Sequence, residues 1–228
     1  MKIALCLLTW NEITGCQHDV PLIDRSQFDE IYAVDGGSKD GTIEYLSGQN
    51  IPVYLQPKRG LNAAHVYAVE KCNSDAIVFF HPKGSVPVED TTHFRSYFEQ
   101  GYDLVIASRN IKGARNEEDG HFLKPRKWFV SSLALCAALL FHRNGPIIWD
   151  VLHGFRGVTV KAFHSMDPVD YGVSVDLESV SRGYKKRLKM VEFPTVEQSR
   201  LTGTSHFKAL ATGWKLLKYL WFEFWRKD

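Results

Sequence analysis

Cysteine is scarce in this chain of 228 residues, and none of its four (Cys6, Cys16, Cys72, Cys136) stands at the C-x-x-C spacing of a zinc or redox motif. Cys6 and Cys136 sit in apolar runs, which fits buried thiols in a reducing compartment better than a disulfide framework. An excess of one charge is also missing. The net charge is +2, no Arg/Lys stripe interleaves with aromatics, and nothing points to nucleic acid as a partner. No stretch reaches the roughly 18 uncharged apolar residues of a spanning helix. The longest, Trp128 to Phe141, is too short and interrupted by serines. No signal peptide is expected, because the apolar stretch after Lys2 stops at Asn11-Glu12 and reads as a strand. There is no internal repeat, no low-complexity tract and no glycine-rich phosphate loop.

What is present reads as one α/β domain. With 44% hydrophobic and 24% charged residues, the chain can bury a sizeable core. Short apolar runs predict strands at Ile3 to Leu8, Glu30 to Val34, Val53 to Leu55, Ala76 to Phe80 and Leu104 to Ala107. Between them, helices are predicted at Thr42 to Leu46, Leu61 to Lys71 and Asp90 to Phe98. That alternation implies a mostly parallel sheet with helices on both faces. Residues 111 to 120 turn polar and read as a loop over the site. The second half predicts a helix at Lys124 to Phe141, a strand at Phe155 to Val160, a helix at Val175 to Arg182 and a strand at Leu188 to Val191. A last helix is predicted at His206 to Trp225, where Phe207, Leu210, Ala211, Trp214, Leu217, Trp221 and Phe224 fall near one stripe.

Two strand ends carry the chemistry. The first predicted strand runs into Thr9-Trp10-Asn11-Glu12, and the second into Asp35-Gly36-Gly37-Ser38. Both deliver polar groups to the C-terminal edge of a parallel sheet, where open α/β folds bind ligands. Carboxylates and amides there, without a phosphate loop, suggest a nucleotide gripped by its base and ribose. Asp before Gly-Gly is also a turn former, and Asn11, Glu12 and Asp40 are also cap residues.

These residues resemble family-2 glycosyltransferases of the GT-A fold, whose usual opening is P-x-Y-N-E followed by V-D-D-G-S-x-D-G-T. Further segments follow in order. They are Lys58-Arg59-Gly60-Leu61-Asn62-Ala63-Ala64, Asp103 to Arg109, and Asp150 with Gly154-Phe155-Arg156. Gly183-Tyr184, Val191 to Pro194 and Arg200 to Ser205 are similar to signatures of the dolichyl-phosphate-mannose-synthase-like branch. The resemblance implies a GT-A domain over residues 1–205, with 206–228 as a C-terminal amphipathic helix. Where the family carries D-x-D, which holds magnesium or manganese against the donor diphosphate, this chain has His81-Pro82-Lys83. The usual metal ligands are therefore lost, and no metal-ligating residues are assigned.

The resemblance further implies that Thr9, Asn11, Glu12, Asp35, Gly37, Ser38, Arg59, Asn62 and His81 bind a nucleotide-diphosphate sugar. Lys83, Arg200 and Asp150 are the catalytic candidates, with the Lys83 ammonium offsetting charge on the leaving phosphate. Arg109, Arg126, Lys127, Ser131 and Ser205 would surround an acceptor phosphate. The implied function is inverting transfer of a sugar to a polyprenyl phosphate by a peripheral enzyme on the cytoplasmic face of a membrane. Trp and Tyr flanked by Lys and Arg in the helix from Lys124 and in the last helix fit an interfacial position, with packing on the core or contact with a protein partner as the other readings of the same stripes. Many members of that branch carry C-terminal membrane helices, and none is expected here. Two alternatives stand beside this. One is a hydroxyl acceptor on a glycan, with Asp150, Asp176 or Glu178 as base. The other is a non-catalytic protein that binds sugar nucleotides through a degenerate site.

Overall fold

A strand that is apolar at every position, rather than at alternate ones, must be covered on both faces. In the computed structural model, β1 (Ile3–Thr9), β4 (Ala76–Phe80) and β5 (Leu104–Ser108) are buried along their whole length. The structure describes residues 1–120, 122–169, 172, 174–199, 201 and 209–227. Among them, β2 (Glu30–Asp35), β3 (Val53–Leu55), β6 (Arg156–Thr159) and β7 (Met190–Pro194) complete a seven-stranded sheet. Its order is β3-β2-β1-β4-β6-β5-β7. Pairing is parallel except at β6, which runs antiparallel to both β4 and β5.

Alternate β1 residues feed two cores, as the two-residue period of a strand requires. Ala4, Cys6 and Leu8 pack with α3 (Leu61–Lys71), α5 (Pro125–Phe141), α6 (Val160–Met166), α7 (Val175–Lys185) and α8 (Ala209–Trp225). Ile3, Leu5 and Leu7 pack on the other face with α1 (Ile13–Asp19), α2 (Thr42–Gly48) and α4 (His93–Glu99). The predicted mixed sheet flanked by helices is the fold observed. Two helices, α1 and α6, are additional to the predicted set. The strand predicted to reach Val160 ends at Thr159, whose hydroxyl accepts from the Ala162 amide and starts α6. The helix predicted from Asp90 divides into a 3-10 segment at Val88–Thr92 and α4.

α8 is not an appendage. Leu216, Tyr219, Leu220 and Glu223 are buried, and Glu223 receives Arg182 and Lys185 of α7 at 3.1 Å each. Its opposite face leaves Trp214, Leu217, Trp221 and Phe224 exposed. Among the described residues, no helix is long and apolar enough to cross a membrane.

Candidate functional site

β2 and β3 lie on one side of β1 and β4 on the other, so the chain's direction of travel across the sheet reverses beside β1. The crevice outside the C-terminal strand ends at such a point is where open α/β sheets hold ligands. Three loops meet there: residues 10–12 after β1, 36–41 after β2 and 81–85 after β4. The pairings Thr9↔Asp35 and Leu7↔Phe80 put these strand ends side by side.

The first two loops are fastened to each other through side chains. Asp35 is fully buried, and both its oxygens are taken. Oδ1 accepts from the amides of Gly37 (2.8 Å) and Ser38 (2.7 Å), and Oδ2 from the hydroxyls of Thr9 (2.7 Å) and Ser38 (2.6 Å). Its geometry is therefore that of a turn former that shapes the crevice wall. Asn11 sits at φ +53, a conformation asparagine tolerates. Its side-chain oxygen accepts from the Lys39 amide at 2.8 Å, and its own amide donates to Ser38 Oγ at 2.7 Å. Asp40 accepts from the amides of Ile13 and Thr42, joining the starts of α1 and α2. Trp10, which the sequence reading passed over, lies against Gly36, where a Cβ would come within 3.3 Å of the indole. Glu12 precedes α1, and Arg59 is exposed before α3.

Asn62, predicted beside the donor, turns its side chain into the protein. It is buried at the start of α3, and its amide donates to Val169 O (2.9 Å), Ser174 Oγ (3.1 Å) and Glu178 Oε2 (3.2 Å). Its oxygen accepts from the Val175 amide. Its polar atoms are spent on joining α3 to α7 and to the segment that precedes α7. Burial drives the Glu178 carboxyl up to about 7, against hydrogen bonding from the Val169 amide and the charge of Arg226. The fold thus favours the protonated form. The resulting stability is present below the ordinary value of 4.5 and is lost as pH rises through about 7. Unfolding measured at pH 5 and pH 8 should differ by about 3 kcal/mol from this group, and Glu178→Gln should remove that difference. An unchanged pH dependence in the variant would assign the effect elsewhere.

Of the predicted acceptor residues that the structure describes, Arg109, Arg126 and Lys127 stand in company with acids. Arg109 grips Asp150 through two bonds (Nε–Oδ2 2.8 Å, Nη2–Oδ1 2.9 Å) and Glu197 through Nη1 at 3.0 Å. Asp150 is fully buried. Burial alone would raise its carboxyl, but the charge and hydrogen bonds of Arg109 outweigh it and hold the group well below the usual carboxylate range. A carboxylate so held does not collect a proton near neutrality. Asp150, predicted as a catalytic carboxylate, is thus braced by Arg109, and Arg109, predicted at the acceptor phosphate, is engaged by Asp150 and Glu197. Arg156 instead pairs with Asp176 at 3.1 Å. At the start of α5, Arg126 meets Glu117 at 2.5 Å, and Lys127 meets Asp119 at 2.6 Å. Glu118 accepts the amides of both residues 126 and 127. Ser131 is half-buried two turns into α5. A cleft of about 470 Å³ opens here, lined by Glu117, Glu118, Leu123, Pro125, Arg126 and Ser199. Arg200 and Ser205 lie outside the described residues.

After β4, His81 lies against the Gly154 backbone, where a Cβ would meet its Nε2 at 2.8 Å, and 6.4 Å from the His65 ring. Lys83 is half-buried in the same loop. The donor set does not suit a divalent cation at this place, since an ammonium cannot ligate one and the family's two carboxylates are absent. Among the described residues, no group of three or more His, Cys, Asp or Glu could hold a metal ion.

Residues 14–166 match glycosyl transferase family 2. The chain is 24% identical over 209 residues to the glycosyltransferase AglJ of Haloferax volcanii, covering 88% of this chain and 65% of that protein. It is 23% identical over 233 residues to a dolichol-phosphate mannosyltransferase of Pyrococcus furiosus, covering 96% and 64%. The chain thus spans just under two thirds of the length of these curated relatives. Among solved structures it is similar to glucosyl-3-phosphoglycerate synthase of Mycobacterium tuberculosis in complex with Mn2+, UDP and glucosyl-3-phosphoglycerate. The TM-score is 0.76 at 14% identity, over 100% of this chain and 81% of that one. At that identity the likeness establishes the fold.

Proposed function

Since the chain belongs to glycosyl transferase family 2 and has the GT-A fold, we propose that it transfers a sugar from a nucleotide diphosphate to a polyprenyl phosphate at a membrane surface, with inversion. The nucleoside end of the donor lies along the loops at 9–12 and 35–40, whose shape Asp35 and Asn11 maintain. The diphosphate points toward 81–85, where Lys83 offsets the charge of the leaving group.

The observation that carries a lipid acceptor is the apolar surface left uncovered beside the cleft. It begins at Phe122 and Leu123, runs along α5 through Trp128, Leu135 and Leu139, and joins Trp214, Leu217, Trp221 and Phe224 of α8. Between the helices is an apolar groove of about 300 Å³ lined by Cys136, Leu140, Leu217, Leu220, Trp221 and Phe224. An apolar patch of this extent, rimmed by Lys215 and Lys218, suits a membrane interface. One of the named relatives, a dolichol-phosphate mannosyltransferase, favours the same acceptor class.

A phosphate monoester carries about −1.5 to −2 charge at neutral pH and needs no base to attack the anomeric carbon. That agrees with the burial and engagement of all three candidate bases. Asp150 is held by Arg109 and Glu178 by Val169 and Asn62, while Asp176 is 6% exposed and has the Arg156 guanidinium 3.1 Å from its Oδ1. A hydroxyl acceptor gains no support from them.

Transfer from radiolabelled UDP- and GDP-sugars to polyprenyl phosphate in detergent tests this directly, with label counted in the organic phase. Activity should persist in excess chelator, and Lys83→Ala should lower turnover about 100-fold while donor affinity changes little. Label appearing only in glycan would move the acceptor to a hydroxyl. Donor binding without any transfer would leave a sugar-nucleotide-binding protein. Loss of activity in chelator, restored by magnesium or manganese, would show that ligands other than 81–83 hold a metal.

A further inference from the structure

We infer that Asp19, at the end of α1, is a positioning residue that fixes the 81–85 loop and so sets where Lys83 stands, with α1 as the strut that refers that position to the nucleoside loops. This rests on the role proposed for Lys83 above. In a site where no metal template organises the diphosphate, the location of a charged side chain depends on the backbone that carries it. A displacement of about 1 Å at such a group can cost on the order of 100-fold in rate.

α1 is fastened at both ends. At its start, the Glu12 amide donates to Thr42 Oγ1 at 3.1 Å and the Ile13 amide to Asp40 Oδ2 at 3.0 Å, both in the segment after β2. At its end, Asp19 is 1% exposed, and its Oδ2 accepts the Gly84 amide at 2.8 Å. Its Oδ1 stands 2.8 Å from Nδ1 of His18, whose side chain is half exposed. A buried carboxylate must find such partners to be tolerated, and one of them is the loop itself. Gly84 adopts φ +62, a left-handed conformation that glycine reaches without strain.

Between these ties the two backbones touch. A Cβ at Gly15 would lie 2.1 Å from the Pro82 carbonyl oxygen and 2.8 Å from Lys83 Cα. At Gly15 the nearest atoms are all backbone, with no side chain there to absorb a shift. The far side of the loop is clamped as well, by the Gln198 amide on Ser85 O at 2.7 Å and the Leu201 amide on Lys83 O at 3.4 Å. The His-Pro-Lys-Gly segment is therefore a built element, wedged between α1 and the Gln198 and Leu201 amides.

The test uses the full chain with Asp19→Ala, Asp19→Asn and Gly15→Ala, each also combined with Lys83→Ala. Turnover, donor affinity and hydrogen exchange at the Gly84 amide are measured, and melting curves check the fold. Asp19→Ala should speed Gly84 exchange about tenfold or more, the effect of losing one bond to a charged acceptor. It should lower kcat by about 10- to 100-fold with donor affinity nearly unchanged. Asp19→Asn, which keeps an oxygen for the Gly84 amide, should recover most of the loss. Gly15→Ala removes no charge and improves helix propensity, yet should give the same signature. If Asp19 acts through Lys83, Asp19→Ala should cost nothing further in the Lys83→Ala background. Unchanged Gly84 exchange would overturn the brace, and so would an equal loss of turnover in that background. If Lys83→Ala alone keeps full turnover, the role of Lys83 falls in the single variant, visibly apart from Asp19, and the inference falls with it.

Discussion

Asp150→Ala is expected to lower folding stability by about 3–5 kcal/mol, the usual consequence of removing one partner of a buried ion pair. The side chain is fully buried and receives the Arg109 amide at 2.9 Å as well as two guanidinium bonds. Its loss would leave the Arg109 guanidinium, only 14% exposed, with Glu197 alone. The loop around 150 would then rest on Glu192, which accepts the Trp149 and Asp150 amides. Asp150→Asn should cost less, because one oxygen remains to accept. The native pair's contribution is present above the ordinary carboxylate range and is lost only as pH falls well below it, since the folded pKa is depressed. Urea unfolding of both variants would measure this. A loss under 1 kcal/mol would mean that Arg109 swings out to water. Lost turnover with stability intact would return Asp150 to the catalytic set.

The sheet was legible for a physical reason. β1, β4 and β5 are buried on both faces, so they stand out as unbroken apolar runs between turn residues, and their predicted ends fall within one residue of those observed. α3 matches its predicted span, with Leu61, three alanines, Glu70 and Lys71 favouring a helix after Gly60. α1 carried no such signal. Ile13-Thr14-Gly15-Cys16-Gln17-His18-Asp19 has a glycine inside and no apolar stripe, and it is held by tertiary bonds at both ends rather than by propensity.

The site was legible as a set of places and less so as a set of roles. Asp35, Asn11, Lys83 and Arg109 do lie at the predicted strand ends. What local sequence does not encode is the partner. Arg109 meets Asp150 across 41 positions and Glu197 across 88, and Asn62 meets Glu178 across 116. A cation expected at a phosphate, or an amide expected at a sugar, looks the same in sequence when a distant residue has already claimed it. Asp19 was missed for the same reason, since its importance lies in a contact with Gly84 across 65 positions.

The last helix shows how the partition of a stripe decides the right experiment. Deleting it would remove Leu216, Tyr219, Leu220 and Glu223 from the core, so lost vesicle binding would report lost folding. The outer face can be changed alone, by Trp214→Gln, Leu217→Gln, Trp221→Gln and Phe224→Gln together. Those side chains are 62%, 43%, 67% and 49% exposed, so stability should move by no more than about 0.5 kcal/mol per site. Fully burying such a side chain contributes about 1.5–3 kcal/mol. Partial insertion of four should therefore contribute about 4 kcal/mol, or roughly 1000-fold in partitioning. Lys215 and Lys218 would add about 1 kcal/mol each on anionic lipid, a contribution that salt screens. The native protein should sediment with anionic vesicles, less so in high salt, and the fourfold variant should stay in solution with an unaltered melting curve. Native protein that never sediments would remove the membrane from the account. If it instead forms a dimer that the variant cannot form, the exposed stripe is an interface between two copies of the chain.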